Sequence, residues 1–561
     1  MQLWKYQQEH RNLLEKKDLY GLQRYEIGQI ASKIAQLCYH YHLRTSEAKY
    51  LTQAYEFYSA IRTRGYFKQS GSPSQANTGL CLQNLRYYAR FIIVSLLSNH
   101  IDTLFELTQE FSALVAQYIT IPGTPDAAEW QYAVAELNRF LAAQNLCKIE
   151  TTPATAPAGW FSVPVFPLAQ SSAEGSRNRI ARIDHVIFVS NYHHQVKFSE
   201  LTLDSFRIIR IFDQYSGQQS QILPRKHLLY RPTTHQILST LSQVTGQPAS
   251  SSSILCLYIS ADGLKPTTPL SFAHDIPDFC VGSLSADSLS SVSVDSLSAE
   301  TPYENSPLIR PAANLLFSQT SNIPQSPCDR PSRAVLQNSH IFPISPHISG
   351  GLAMTPLLSN SPNPTDDSSH SSLKDCLYPS DLLPFLRKSL FLIVDSDNSS
   401  AFKNIRAVFD QPLLCLLSPE SLPPQIKDPT RTGNLFSFFL SDPLNAFLFI
   451  SDIPLISSST FHQCHARLSS GFIDIEAALD SSATLPDSLL FMLTDPILRT
   501  FIIRFLFCFV ALSYHLHFKT SPLFLPSIHP SISTDLLLHP SLSSCVLDLA
   551  SLLQSPLFSS L

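Results

Sequence analysis

YGLQRYEIGQIASKIAQLCYHYHLRTSEAKYLTQAYEFYSAIRTRGYF, Tyr20 to Phe67, reads as two amphipathic helices joined by a short turn. Tyr25, Ile27, Ile30, Ile34, Leu37 and Tyr41 recur at helical steps, which predicts one apolar face. Arg44-Thr45-Ser46-Glu47 breaks the period. Thr45 or Ser46 is placed to cap the second helix, because a hydroxyl there accepts a bond from an unpaired first-turn amide. Tyr50, Leu51, Ala54, Tyr55, Tyr58 and Ile61 form the second apolar face. The expectation is an antiparallel, TPR-like helical hairpin. Tyrosine is enriched at interface hot spots, so Tyr39, Tyr41, Tyr55 and Tyr58 are the candidate partner surface.

Working outward, residues 1–150 continue as a helical scaffold. Periodic runs cover Leu80–Ser98, Thr103–Tyr118 and Asp126–Ala143, with prolines marking the loop at Ile121–Pro125. A Pro/Ala-rich crossover, Thr151–Pro167, then separates this scaffold from a region of different period. His185–Ser190, Ser253–Ser260, Leu390–Asp395 and Leu413–Leu417 are short, continuous apolar runs that read as buried strands. Helical runs at Lys197–Gln214 and Thr233–Val244 lie between them. Such alternation predicts a Rossmann-like α/β domain with a mostly parallel sheet, so the chain as a whole is of mixed α+β and α/β class.

That domain is expected in two parts, residues 151–263 and 379–520. Residues 264–378 are Ser/Pro-biased and lack sustained period, so they read as a disordered insertion. The second part carries C-terminal helices at Asn434–Ile450, restarting at Pro443 with Ser441 or Asp442 as cap, and at Thr494–Phe518. Residues 521–561 are expected to form a weakly ordered tail.

Composition limits the function classes. The net charge is -5, which gives no global pull toward nucleic acid, so no direct nucleic-acid binding is expected. The 11 cysteines contain no C-x-x-C pair, and no glycine-rich phosphate loop occurs among the 16 glycines. No metal or cofactor is expected. Ile497–Phe518 is strongly apolar, but Arg499 and Arg504 interrupt it. A central arginine costs about 2.5–3.5 kcal/mol on insertion scales, so a buried core helix is the reading adopted over a membrane anchor.

Two loops carry possible chemistry. FLIVDSDNS, Phe391–Ser399, ends a strand in Asp395-x-Asp397-x-Ser399. It resembles the nucleophile motif of haloacid-dehalogenase-type phosphatases, and also the metal-ion site of von Willebrand type A domains. The downstream lysine and acidic pair of a phosphatase are not found, and the adopted reading is a turn in which Asp395 and Asn398 cap a helix over Ala401–Phe409. The second loop follows the strand ending at Ser190. If its strand runs parallel to that of Asp395, then Asn191, Gln195 and Lys197 share one ligand crevice with Asp395, Asn398 and Ser399.

Ordered blocks identify a family. IGQIASKIAQL (Ile27–Leu37), YHYHLRTSE (Tyr39–Glu47), FYSAIRTRGYF (Phe57–Phe67), LRYYARFIIV (Leu85–Val94), NYHHQVKFSELTLDSFRI (Asn191–Ile208) and FLIVDSDNSSAFKN (Phe391–Asn404) together resemble the SCAI family, the suppressors of cancer cell invasion. The resemblance implies a non-enzymatic nuclear transcription corepressor. It would act on myocardin-related-factor and serum-response-factor transcription through protein partners, with negative regulation of cell migration and a link to DNA double-strand-break repair adaptors. The family typically reads VDSSNS where this chain has Val394–Ser399 as VDSDNS, so the second acid of the phosphatase-like motif departs from it.

Overall fold

The computed structural model describes residues 2–16, 19–45, 47–67, 78–121, 124, 126–144, 148–150, 180–193, 195–215, 224–246, 252–264, 350–354, 375–426, 429–482 and 485–559. The crossover at Thr151–Pro167 and most of the Ser/Pro-rich range lie outside them.

The N-terminal region is helical: α1 (Arg24–Thr45), α2 (Ala48–Arg64), α3 (Thr78–Leu97), α4 (Ile101–Ile119) and α5 (Ala127–Gln144). The face of α1 is rotated from the expected one. Ile27, Ala31, Ala35 and Tyr39 are buried, whereas Leu37 and Tyr41 are 54% and 58% exposed. The helix packs on α2, on α3 and on the edge of the sheet. Three close neighbours favour the stripe with small side chains over the stripe with the largest ones. The expected cap also differs. Thr45 stays inside α1, its hydroxyl donating to the Tyr41 carbonyl at 2.8 Å, and α2 starts after Glu47 without a side-chain cap.

A six-stranded sheet follows. Its strands are β1 (Arg182–Asn191), β2 (Arg225–Tyr230), β3 (Ser253–Ala261), β4 (Ser389–Asp395), β5 (Leu413–Leu417) and β6 (Ser527–His529). Five are parallel in the order 2-1-3-4-5, and β6 adds antiparallel to β5. The order reverses between β1 and β3, which makes their carboxyl ends a topological switch point. The helical run expected from Lys197 is shorter than read. Lys197–Phe198 and Leu201–Thr202 pair as a small antiparallel ladder, and α6 occupies only Leu203–Tyr215.

Both sheet faces are covered, which explains why the strands read as unbroken apolar runs. On one face, Leu255, Leu257, Ile259, Leu390, Leu392 and Val394 pack with α7 (Thr234–Thr245). Thr233 and Gln236 form the capping box of α7. On the other face, Phe188, Tyr258, Phe391 and Ile393 join a core that is continuous with the N-terminal helices. That core includes α6, α8 (Leu435–Ser441), α9 (Pro443–Ile450), α10 (Ser458–Ser481) and α11 (Pro496–Tyr514). Asp442 caps α9 by accepting from the Asn445 amide at 3.2 Å, as its position before Pro443 requires.

Helix α11 is long and apolar enough to cross a membrane by length and composition, and here it is buried within the fold. Its two arginines are each 1% exposed and anchored by hydrogen bonds through their terminal nitrogens. Arg499 grips Asp480 with both terminal nitrogens, at 2.8 and 3.1 Å. Arg504 donates to the Leu440 and Ser441 carbonyls at 2.9 and 2.8 Å, supplying partners for the end of α8.

The expectation of a weakly ordered tail fails. Beyond residue 521 the chain forms β6 and then α12 (Pro540–Leu552), which packs on α10 and α11. Leu542, Cys545, Val546 and Leu549 are buried there, and Arg467 of α10 reaches Asp548 at 2.8 Å. The prolines that suggested disorder lie in the connections and at the start of α12, where they are compatible with a packed apolar stripe.

Candidate functional site

Three adjacent strands end in a polar row. The pairing register sets Ser190 of β1 opposite Ser260 of β3, and Ser260 opposite Asp395 of β4. Alternation along the strands points all three toward the face that carries Phe188, Tyr258 and Ile393. Ser190 bonds the hydroxyls of Ser205 and Thr202 at 2.6 and 3.1 Å. Asn434 donates its side-chain amide to Ser260 at 3.2 Å.

Helices α6 and α8 complete the row with charge. Asp204 accepts from the Asn434 amide at 3.0 Å and from the Ser437 hydroxyl at 2.8 Å, and it pairs with Arg207 at 3.7 Å. Arg207 also donates to the Ala143 carbonyl at the end of α5 and lies over the Phe438 ring at 4.2 Å. This arginine therefore joins the N-terminal scaffold to α6 and α8. Gly433 closes the cluster at φ +74, and a Cβ there would meet Asp204 and Arg207 at 2.7 and 2.9 Å. Burial, and then the nearby charge of Asp204, hold the Asp395 carboxyl well above its ordinary range. Asn434, the Ser437 amide and Arg207 pull the other way. Burial likewise raises Asp204, and Arg207 opposes that shift. Asp395 is thus set toward its neutral form, with Asp204 as the arginine's counter-charge.

On the opposite side of the carboxyl ends, the crevice holds the chain's own strands. Gly263–Leu264, Gly351–Ala353 and Cys376–Leu377 form a three-stranded antiparallel sheet, within or at the border of the range read as an insertion. Asn191 donates to the Ala353 carbonyl at 2.8 Å. Asn398 donates to the Gly351 and Leu264 carbonyls at 3.2 and 3.1 Å. Asp397 accepts from the Gly263 amide, and Asp262 accepts from the His193 amide at 2.8 Å. The groups that would meet a ligand at a switch point instead hold a peptide plug.

The six residues expected to line one crevice therefore separate. Asn191 and Asn398 converge on the plug. Asp395 turns to the other sheet face. Ser399 donates to the Ser418 carbonyl at 2.6 Å, inside the loop after β5. Lys197 points to the helical scaffold and pairs with Glu136 at 2.6 Å. The Gln195 amide is buried with no hydrogen-bond partner among the described residues. The helix expected to be capped by Asp395 and Asn398 is a short 3-10 turn, Ser399–Asn404, with no side-chain cap.

The candidate tyrosines also divide. Tyr58 is wholly buried and accepts at its carbonyl from the Tyr87 hydroxyl at 3.0 Å. Tyr39 is buried, Tyr55 is half-buried against His100, and of the four only Tyr41 is broadly exposed, beside Tyr50. Tyr58 fits a core role and not a surface one, because α2 turns it toward α3. Sequence reading missed Asp204, Arg207, Asn434 and Ser437. The available signal was a charged pair at i and i+3 within the apolar run of α6.

Fold and site define a mixed α/β protein in which a helical scaffold packs on one sheet face and the carboxyl-end crevice is filled from within. The family model described as Protein SCAI matches residues 1–222 and 212–518. Protein SCAI of Homo sapiens is 32% identical over 570 residues, covering 98% of this chain and 81% of the relative. Protein SCAI of Mus musculus is 31% identical with the same coverage, and the Protein SCAI homolog of Dictyostelium discoideum is 30% identical over 664 residues, covering 98% and 84%. The chain belongs to the SCAI family. No solved structure matches it significantly.

Proposed function

We propose that this chain is a non-enzymatic nuclear transcription cofactor, a corepressor of myocardin-related and serum-response-factor transcription that works through protein–protein contacts. Family membership supports the reading, since the relatives are named SCAI and not as enzymes. The observation that carries it is the plug. Asn191 at the end of β1, and Asp397 and Asn398 after β4, are spent on the chain's own strands, which leaves the carboxyl-end crevice, the fold's usual chemical position, occupied.

Two finer structural readings go with it. The helices α1–α5 are a TPR-like scaffold, and the 2-1-3-4-5 sheet is a Rossmann-like domain put to structural use. The rival reading, a phosphatase with Asp395 as nucleophile, needs an ionised carboxylate that substrate can reach. Asp395 is 5% exposed and is pushed toward its protonated form.

The test is co-precipitation of a myocardin-related coactivator with the tagged full chain from nuclear extract. The proposal expects capture by the wild type and equal capture by Asp395→Asn. Failure of the wild type to capture the coactivator, or exclusion of the chain from nuclei, counts against it.

A further inference from the structure

We propose that the groove between α1, α7 and the outer edge of β2 docks an extended peptide that carries a lysine or arginine side chain and adds to the sheet as a strand. The proposal deepens the reading of the chain as a protein-binding regulator and rests on it.

Strand β2 ends the sheet and pairs only with β1 among the described residues. A cavity of about 600 Å³ lies against it. Leu228, Leu229 and Tyr230 line it consecutively. Successive side chains of a strand point to opposite faces, so a cavity on one face would meet only alternate residues. A cavity touching all three runs along the strand's edge, where half the amides and carbonyls of a parallel edge strand have no strand to pair with. Such an edge, set in a groove, is the geometry of strand addition.

The walls are pre-formed. Tyr39 and Leu43 stand one turn apart on α1, and Gln236, Ser239 and Thr240 form one face of α7. The volume lies within the range of ligand sites. Apolar side chains on β2 and α1 facing the polar side chains of α7 suit a peptide whose side chains alternate.

The charge requirement comes from Glu200, which lines the groove and has no ion-pair partner among the described residues. Its neighbour Lys197 is committed to Glu136, and both Lys197 and Arg231 lie over the Tyr230 ring at 5.9 and 5.6 Å. A cation from the occupant complements the carboxylate left over.

The test selects a random-sequence phage-displayed peptide library on the immobilised full chain, then measures solution binding of the recovered peptides. Recovered peptides are expected to alternate β-branched residues and to contain lysine or arginine. Glu200→Gln weakens their binding by roughly fivefold, the scale of one exposed ion pair. Ser239→Trp, at an exposed helix position where the indole fills the groove, removes binding, and bound peptide slows amide exchange at Leu228–Tyr230. No enrichment over the Ser239→Trp protein, or peptides whose binding neither substitution changes, overturns the proposal. Coactivator capture is measured on the same proteins. Basic-peptide binding without coactivator capture by the wild type removes the cofactor reading and leaves the groove. Capture without peptide enrichment removes the groove alone.

Discussion

Asn191, the last residue of β1, and Asn398, on the loop after β4, hold the same short segment: one donates to the Ala353 carbonyl at 2.8 Å and the other to the Gly351 carbonyl at 3.2 Å. Both are buried, so each replaces water that the segment's backbone would otherwise need. The two bonds convert a ligand crevice into an internal joint. Removing either amide is expected to cost about 1 kcal/mol and to speed amide exchange over Gly351–Met354. The double alanine variant should depart from additivity by more than about 0.5 kcal/mol, because both residues act on one strand. Exchange measured by mass spectrometry on both single variants and the double variant checks this. Unchanged exchange at the plug would remove its role as a held strand.

Arg207 is the counter-charge of Asp204 and the tie to α5, and it is 5% exposed. Arg207→Ala strands a buried carboxylate and is expected to cost about 3–5 kcal/mol. Arg207→Ala combined with Asp204→Asn should recover part of that loss, since no charge is then stranded. Urea midpoints of the two proteins decide the point, and equal destabilisation would contradict the pairing.

Asp395 sets a pH dependence. Its folded carboxyl lies above its unfolded value, so between those values the folded state holds a proton that the unfolded state has lost. Stability from this group is full below the unfolded value, near pH 4, and falls as pH rises, by at most about 1.4 kcal/mol per pH unit. Asp395→Asn removes that term. The difference in unfolding free energy between variant and wild type is therefore expected to move in the variant's favour from pH 5 to pH 8. A pH-independent difference would place Asp395 in a wetter site than this fold gives it.

Gly433 takes a left-handed conformation at φ +74, directly against Asp204 and Arg207. Gly433→Ala adds conformational strain and a contact closer than real Cβ atoms accept. The expected cost is about 2 kcal/mol or more, read from thermal unfolding. A neutral effect would mean that the α8 entry loop relaxes freely.

Much of the fold was legible because burial on both faces writes a strand as an apolar run. LLCLL, Leu413–Leu417, is such a strand over its whole length. LFLIVD lies within β4, one residue short at its start. Pro443 after Asp442 announced a helix start by backbone chemistry alone. The face of α1 was not legible, because large apolar residues suggested a stripe that helix neighbours reject for alanines. The plug was hidden too, since Gly351–Ala353 and Cys376–Leu377 are strands of three and two residues within the Ser/Pro-rich range. Half of the candidate site was visible in Asn191, Asp395 and Asn398. The charged half was not, because Asp204, Arg207, Asn434 and Ser437 meet only through the packing of α6 and α8 on the sheet.

The proposed function requires repression without catalysis, which a serum-response reporter in cells expressing the full chain measures. Wild type and Asp395→Asn, matched for abundance and nuclear level, are predicted to lower the reporter equally. Repression by the wild type that disappears in a folded Asp395→Asn protein would contradict the account, as would a wild-type chain that leaves the reporter unchanged.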